Sequence, residues 1–165
     1  MGRSPWARLP EEDLDDLIIA ESMEHTDVIT LADRSFPTLS GGEKARTSFA
    51  RVLAQQTNLV LLDEPTAALD IRHSEQVLSQ ARRLARAGHA VVAVLHDLTV
   101  AAAHADRICV LADGRLMADG TPADVLTPSL SADVYHHPVD VISHDGRLVV
   151  LPRLTPLNQE ASCAL

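Results

Sequence analysis

One short run constrains this chain more than any other. Asn58 to Leu62 is wholly apolar after its single polar residue, and it ends on two adjacent acids, Asp63 and Glu64. A run of this length and composition fits a strand buried on both faces of a parallel sheet. A second apolar run, Ala90 to Leu95, ends on His96. Between the two, Ile71 to Ala87 has helical composition and stops at Gly88, a glycine placed to cap the helix end. Strand, helix and strand in that order predict an α/β fold with a mostly parallel sheet. Ligands of such sheets sit beyond the carboxyl ends of the strands. The residues after Leu62 and after Leu95 are therefore the first candidates for a site.

The rest of the chain supplies further helices and two hairpins. Pro10 followed by Glu11, Glu12 and Asp13 suits a helix start. The helix is expected to run to about Glu24, with Leu14, Leu17 and Ile18 toward the core. Thr26 to Leu39 reads as irregular, with Pro37 as a breaker. Ser40 to Glu43 has capping-box spacing, so a helix is expected from there to about Gln56. After the second run come a helix over Leu98 to Ala105 and a strand over Arg107 to Leu111. Asp113-Gly114 then signals a turn into a fourth strand. Helices are expected to begin near Pro122 and Ser129. Val139 to Ile142 and Leu148 to Leu151 pair as a hairpin about Asp145-Gly146.

Composition narrows the function. Of 165 residues, 46% are hydrophobic but only 2% are aromatic, so a core must be built from aliphatic side chains. The net charge of -9 argues against sequence-independent nucleic-acid binding, which needs clustered Lys and Arg. Cys109 lies in an apolar run and reads as a small buried hydrophobe, and Cys163 lies in a polar tail. No run approaches a membrane span and the start has no signal-peptide core. A cytosolic chain is expected, reaching any membrane through a partner.

Three places carry chemistry. Two acids at a strand end are costly to bury without a partner, and Mg²⁺ is one. Asp63 holding the metal would leave Glu64 to polarise a water, as in P-loop NTPases; a solvated turn is the plain alternative. His96 beside a phosphate could donate to a transferring phosphoryl group; a surface histidine is the plain alternative. Ser40, Gly41 and Gly42 open a helix, where backbone N–H groups and the helix dipole favour an anion; an ordinary N-cap is the alternative there.

Taken together, these motifs resemble the ABC ATPases. Leu39-Ser40-Gly41-Gly42-Glu43 is similar to their signature motif, with Glu43 where many members have Gln. Leu59 to Glu64 resembles the Walker B strand with its catalytic glutamate. Pro65-Thr66-Ala67-Ala68-Leu69-Asp70 resembles the D-loop, and His96 falls where the switch histidine belongs. The resemblance implies a partial ABC-type P-loop NTPase fold divided into three parts. Residues 1–39 would be the remainder of the helical subdomain, 40–130 the catalytic core, and 131–165 a hairpin and tail. It also implies two nucleotide-binding subunits paired head to tail, with ATP and Mg²⁺ between them. Ser40, Gly41, Gly42 and Glu43 would then face the γ-phosphate held by the second subunit. Asp63 would hold Mg²⁺, Glu64 would activate water, His96 would sense the γ-phosphate, and Asp70 would act across the dimer interface. A membrane permease is the further partner, which places the subunit on the cytoplasmic face of the cell membrane.

The segment Asp133 to Val139, with Ser143-His144 and Leu148 to Arg153, is similar to the end of hemin-import ATPases. The opening Gly2 to Trp6 is similar to those and also to ferric-siderophore and cobalamin importers. Hemin is the expected cargo. A translation factor or DNA-repair ATPase would predict a second signature motif or coiled-coil heptads, and neither is present; a non-catalytic fragment is a further alternative.

The phosphate loop, Gly-x-x-x-x-Gly-Lys-[Ser/Thr], does not occur here. The only lysine, Lys44, lies within the signature helix. The chain by itself is therefore expected to be inactive, with unpaired strand edges and exposed apolar faces.

Overall fold

The computed structural model describes residues 12–154. Pro10, Glu11, the opening stretch Gly2 to Trp6, and Cys163 lie outside them. The chain forms two compact units, divided between His96 and Asp97.

In the first unit, helix α1 (Glu12–His25) leads through two 3-10 turns, Ile29–Leu31 and Phe36–Thr38, to α2 (Gly41–Ala54). Pro37 sits at the start of the second turn, so it shapes the irregular stretch expected from Thr26 to Leu39. Strand β1 (Leu59–Asp63), helix α3 (Ile71–Arg86) and strand β2 (Ala90–Val94) follow. The two strands pair in parallel, from Leu59 opposite Ala90 to Asp63 opposite Val94. This is the strand–helix–strand unit expected from the two apolar runs. Gly88 has φ 97, a left-handed conformation that glycine adopts without a Cβ clash. The backbone N–H of His89 closes the end of α3 on the Leu84 carbonyl at 3.1 Å.

The core of this unit joins Phe49 of α2, Val60 and Leu62 of β1, and Val77 and Ala81 of α3. The structure corrects the expected burial of β1 on both faces. Strict alternation buries Val60 and Leu62, while Leu59 is exposed and Leu61 is 67% exposed. Val92 and Val94 of β2 are exposed as well. The reason is that α2 and α3 pack on the face of β1 that carries Val60 and Leu62, and Leu59 and Leu61 point away from them. Fully burying a leucine is worth about 1.5–3 kcal/mol, so this open face leaves much of the strands' apolar character unused.

A second correction concerns α1. Of the three residues expected in the core, Ile18 is buried, but Leu14 and Leu17 are exposed. The buried side runs instead through Ile18, Ser22 and Thr26 at four-residue spacing. Ser22 Oγ donates to the Ile18 carbonyl at 2.7 Å, and Thr26 Oγ1 donates to the Ser22 carbonyl at 3.0 Å. Hydroxyls satisfied by their own helix can be buried at small cost, so two polar residues occupy the inner face.

The second unit holds α4 (Leu98–His104), the antiparallel pair β3 (Ile108–Ala112) and β4 (Arg115–Gly120), then α5 (Pro122–Val125) and α6 (Pro128–Tyr135). A last antiparallel pair joins β5 (Val139–His144) to β6 (Arg147–Pro152). Both hairpins turn on Asp-Gly. Asp113 and Gly114 have φ 49 and 70, and Asp145 and Gly146 have φ 49 and 73. Two successive left-handed residues match the strand twist, which is why this dipeptide marked both turns in the sequence. Ile108, Val110, Val125 and Leu126 form the core, with Leu98, Ala101 and Val150 packed on it. Thr99 Oγ1 accepts from the Val150 N–H at 3.0 Å and ties α4 to β6.

Cys109 departs from its expected burial. It is exposed, and its thiol lies 3.4 Å from Asp119 Oδ1. Strand alternation turns Ile108 and Val110 inward, and Cys109 between them faces out. The α/β character is as expected, and among the described residues parallel pairing is confined to β1 and β2.

Candidate functional site

The parallel pairing of β1 and β2 brings their carboxyl ends side by side, and the candidate residues start there. Asp63 is the last residue of β1. The next, Glu64, has φ 45 while its N–H still donates to the Val94 carbonyl at 3.2 Å. A left-handed glutamate costs roughly 1–3 kcal/mol, so the surrounding hydrogen bonds hold a strained residue in place. His96 lies just past β2, and its Nε2 donates to Glu64 Oε1 at 2.6 Å. The two residues singled out at the two strand ends thus form one acid–histidine pair.

That pair alters the histidine. The Glu64 hydrogen bond raises the His96 pKa above its ordinary value, the Glu64 charge adds to this, and Asp63 contributes further. The pair's contribution to folding is therefore complete below the ordinary histidine range and is lost as pH rises through the raised value. Both side chains are largely exposed, so the energy involved is small. We expect NMR titration of the His96 ring to give a pKa above the ordinary value of about 6.5, and Glu64→Gln to bring it back. A titration unchanged by that substitution would contradict the pairing.

Asp63 is different. Its carboxylate has no hydrogen-bond or ion-pair partner among the described residues. No group of three or more His, Cys, Asp or Glu that could hold a metal gathers among them either. An exposed, unpartnered carboxylate fits Mg²⁺, which takes one or two protein carboxylates and fills its other positions with phosphate and water.

The signature stretch is built as its capping-box spacing implied. Ser40 Oγ accepts from the Glu43 N–H at 3.3 Å, and Glu43 Oε2 accepts from the Ser40 N–H at 2.7 Å. The N–H groups of Gly41 and Gly42, in the first turn, have no partner within the helix. Arg34 Nη1 adds a bond to Glu43 Oε1 at 3.0 Å. The Ser40 backbone N–H is the main reason the Glu43 carboxyl is held below its ordinary range, with the Ser40 hydroxyl and Arg34 assisting. Glu43 is thus committed to the helix cap, with Arg34 as a partner that the sequence reading missed.

This helix start packs on the loop after β1. A Cβ added to Gly42 would lie 3.2 Å from the Ala68 carbonyl oxygen, and one on Gly41 would lie 3.7 Å from Ala68 Cβ. The loop ends at Asp70, which caps α3. Asp70 Oδ1 accepts from the His73 N–H at 2.9 Å and contacts His73 Nδ1 at 2.8 Å. The His73 backbone N–H is the main cause holding the Asp70 carboxyl low, and the His73 ring assists. The candidates therefore fall into two groups. Asp63, Glu64 and His96 gather at the strand ends, while Ser40, Gly41 and Gly42 lie against the Asp70 loop.

A family model described as ABC transporter matches residues 7–67. The chain is 59% identical over 155 residues to the hemin import ATP-binding protein HmuV of Rhodococcus jostii, covering 93% of this chain and 53% of that protein. It is 58% identical to the protein of the same name from Nocardia farcinica, covering 92% of this chain and 54% of the relative. The resemblance to the ATP-binding proteins of ABC transporters runs along nearly the whole of this chain. The resemblance stated from the signature, Walker B and D-loop motifs is thereby borne out. The chain spans about half the length of the curated relatives it matches. Its fold agrees with solved ABC cassettes. It superposes on a chain of an inward-facing transporter assigned to the metal-chelate type with a TM-score of 0.73 at 25% identity, covering 92% of this chain and 61% of the other. It also matches the dimeric ATP-binding cassette MJ0796 bound to ADP and Pi, with a TM-score of 0.64 at 27% identity, covering 71% of this chain and 51% of that one.

Proposed function

We propose that this chain is part of the ATP-hydrolysing subunit of an ABC importer, that its cargo is hemin, and that it supplies one half of each composite nucleotide site. The observation that carries the catalytic reading is the Glu64–His96 contact of 2.6 Å at the ends of two parallel strands. Asp63 would hold Mg²⁺ there, and the ion, when bound, neutralises phosphate charge. Glu64 orients a water and draws on its proton. His96 Nε2 holds one Glu64 oxygen; beside a nucleotide, its ring could turn to the transferring phosphoryl group. The Ser40 hydroxyl and the Gly41 and Gly42 N–H groups present a donor surface at a helix start, suited to the γ-phosphate held by a second subunit.

Hemin as cargo is supported by relatives 59% and 58% identical that carry that name. No described helix is long and apolar enough to cross a membrane. The proposal therefore includes an integral permease that holds the subunit at the cytoplasmic face. Deleting the coding region should abolish growth on hemin as the iron source and leave growth on ferric siderophores intact. Loss of siderophore use instead would overturn the cargo.

A further inference from the structure

The start of α3 is tied to the signature helix by side chains outside the motifs. Asp27, just past α1, has φ 56 and is the hub. From α2, Arg46 Nη1 donates to the Asp27 carbonyl at 2.7 Å and lies 3.6 Å from Asp27 Oδ2. From α3, Arg72 Nη2 reaches the same Oδ2 at 3.4 Å, and His73 Nε2 lies 3.9 Å from it. His73 turns its other ring nitrogen to Asp70 at 2.8 Å. Gln76 adds a bond from Nε2 to the His25 carbonyl at 2.9 Å.

These contacts differ in weight. Arg72 and the Asp27 carboxylate are exposed, and exposed ion pairs hold little. The Arg46 side chain is only 14% exposed, and a largely buried guanidinium must keep its acceptors. Arg46 follows Gly42 by four residues, so the two lie on one face of α2, a turn apart. At Gly42 the helix meets the Ala68 carbonyl closely, and an added Cβ would lie 3.2 Å from its oxygen. That contact blocks approach, whereas the Arg46–Asp27 bonds, continued from Asp27 Oδ2 to Arg72 and His73 of α3, oppose separation. Together they fix the distance between the signature helix and the loop ending at Asp70.

We propose that Arg46, acting through Asp27, is a positioning residue that holds this loop and the first turn of α3 against the signature helix. The two stretches assigned to face the second subunit then keep one relative position. The proposal rests on the reading of the chain as part of an ATP-hydrolysing dimer.

The experiment uses the full-length subunit assembled with its permease. Hydrogen exchange is followed over residues 65–73 without nucleotide, alongside kcat and KM for ATP. Arg46→Gln should speed exchange in that loop about tenfold and lower kcat about tenfold, with KM within about twofold, because misplacement costs rate rather than binding. Arg46→Lys, which can still donate to the Asp27 carbonyl, should recover most of both. Asp27→Asn tolerates the left-handed backbone and spares the carbonyl bond, so about a threefold rise in loop exchange is expected. Unchanged loop exchange in Arg46→Gln would overturn the proposal. So would a uniform rise across α1 and β1 with kcat and KM shifting together. Should Arg46→Gln fail to fold, Asp27→Asn decides, and unchanged loop exchange there overturns it. A wild-type complex without ATP hydrolysis would count against the proposed function, while the exchange measurements would still judge the positioning role.

Discussion

Glu64→Gln in the full-length dimer should lower kcat for ATP hydrolysis about 100- to 10,000-fold, the range a positioned general base contributes. ATP affinity should stay within a few fold. The amide is nearly isosteric with the carboxylate, so the left-handed residue at φ 45 and its N–H bond to Val94 can persist. What is lost is the group that accepts a proton from water and the charge that holds His96. Asp63→Asn should act differently. It removes the charge of a carboxylate that has no partner among the described residues, so Mg²⁺-dependent nucleotide binding should fall along with rate. Steady-state phosphate release and equilibrium ATP binding separate the two. A kcat reduced less than about threefold by Glu64→Gln would remove Glu64 from the chemistry. The present chain by itself, whose sequence contains no phosphate loop, should release no phosphate that Glu64→Gln abolishes.

The features legible in the sequence were those whose chemistry is local. The capping box at Ser40 and Glu43 is a spacing of three residues, and the Asp-Gly turns are dipeptides with a fixed backbone preference. The strand ends were legible because an apolar run stopped abruptly at acids or at histidine. Burial was less legible because it depends on what lies opposite. Leu61 has the composition of a core residue, but α2 and α3 lie on the other side of its strand. Cys109 is apolar by neighbourhood and exposed by alternation. On α1, polarity misled in the other direction: Ser22 and Thr26 are buried because their hydroxyls return to their own helix. The Arg46–Asp27–His73 network spans sequence separations that no local pattern encodes. Only the placement of three helices brings it together.

The composite character of the site is tested most directly by two lesions carried on different subunits. Ser40→Arg puts a long cation at the start of α2, where Ser40 caps the helix and the Gly41 and Gly42 N–H groups are open. Losing the cap costs about 1 kcal/mol, which Ser40→Asp would spare and so controls for. The larger effect is bulk where a γ-phosphate must approach, and nucleotide trapping at that site should be lost. In a heterodimer, one subunit carries Ser40→Arg and the other a disabled phosphate loop. If each site combines the phosphate loop of one subunit with the signature helix of the other, both lesions fall in the same site. The second site then joins an intact loop to an intact helix. With Glu64→Gln added to both subunits to block turnover, about one tightly bound ATP per dimer is expected, against about two without the lesions. If each subunit instead built its own site, the lesions would fall in different sites and bound ATP would drop to near zero. That outcome would place Ser40, Gly41 and Gly42 on their own subunit's nucleotide and end the head-to-tail assignment.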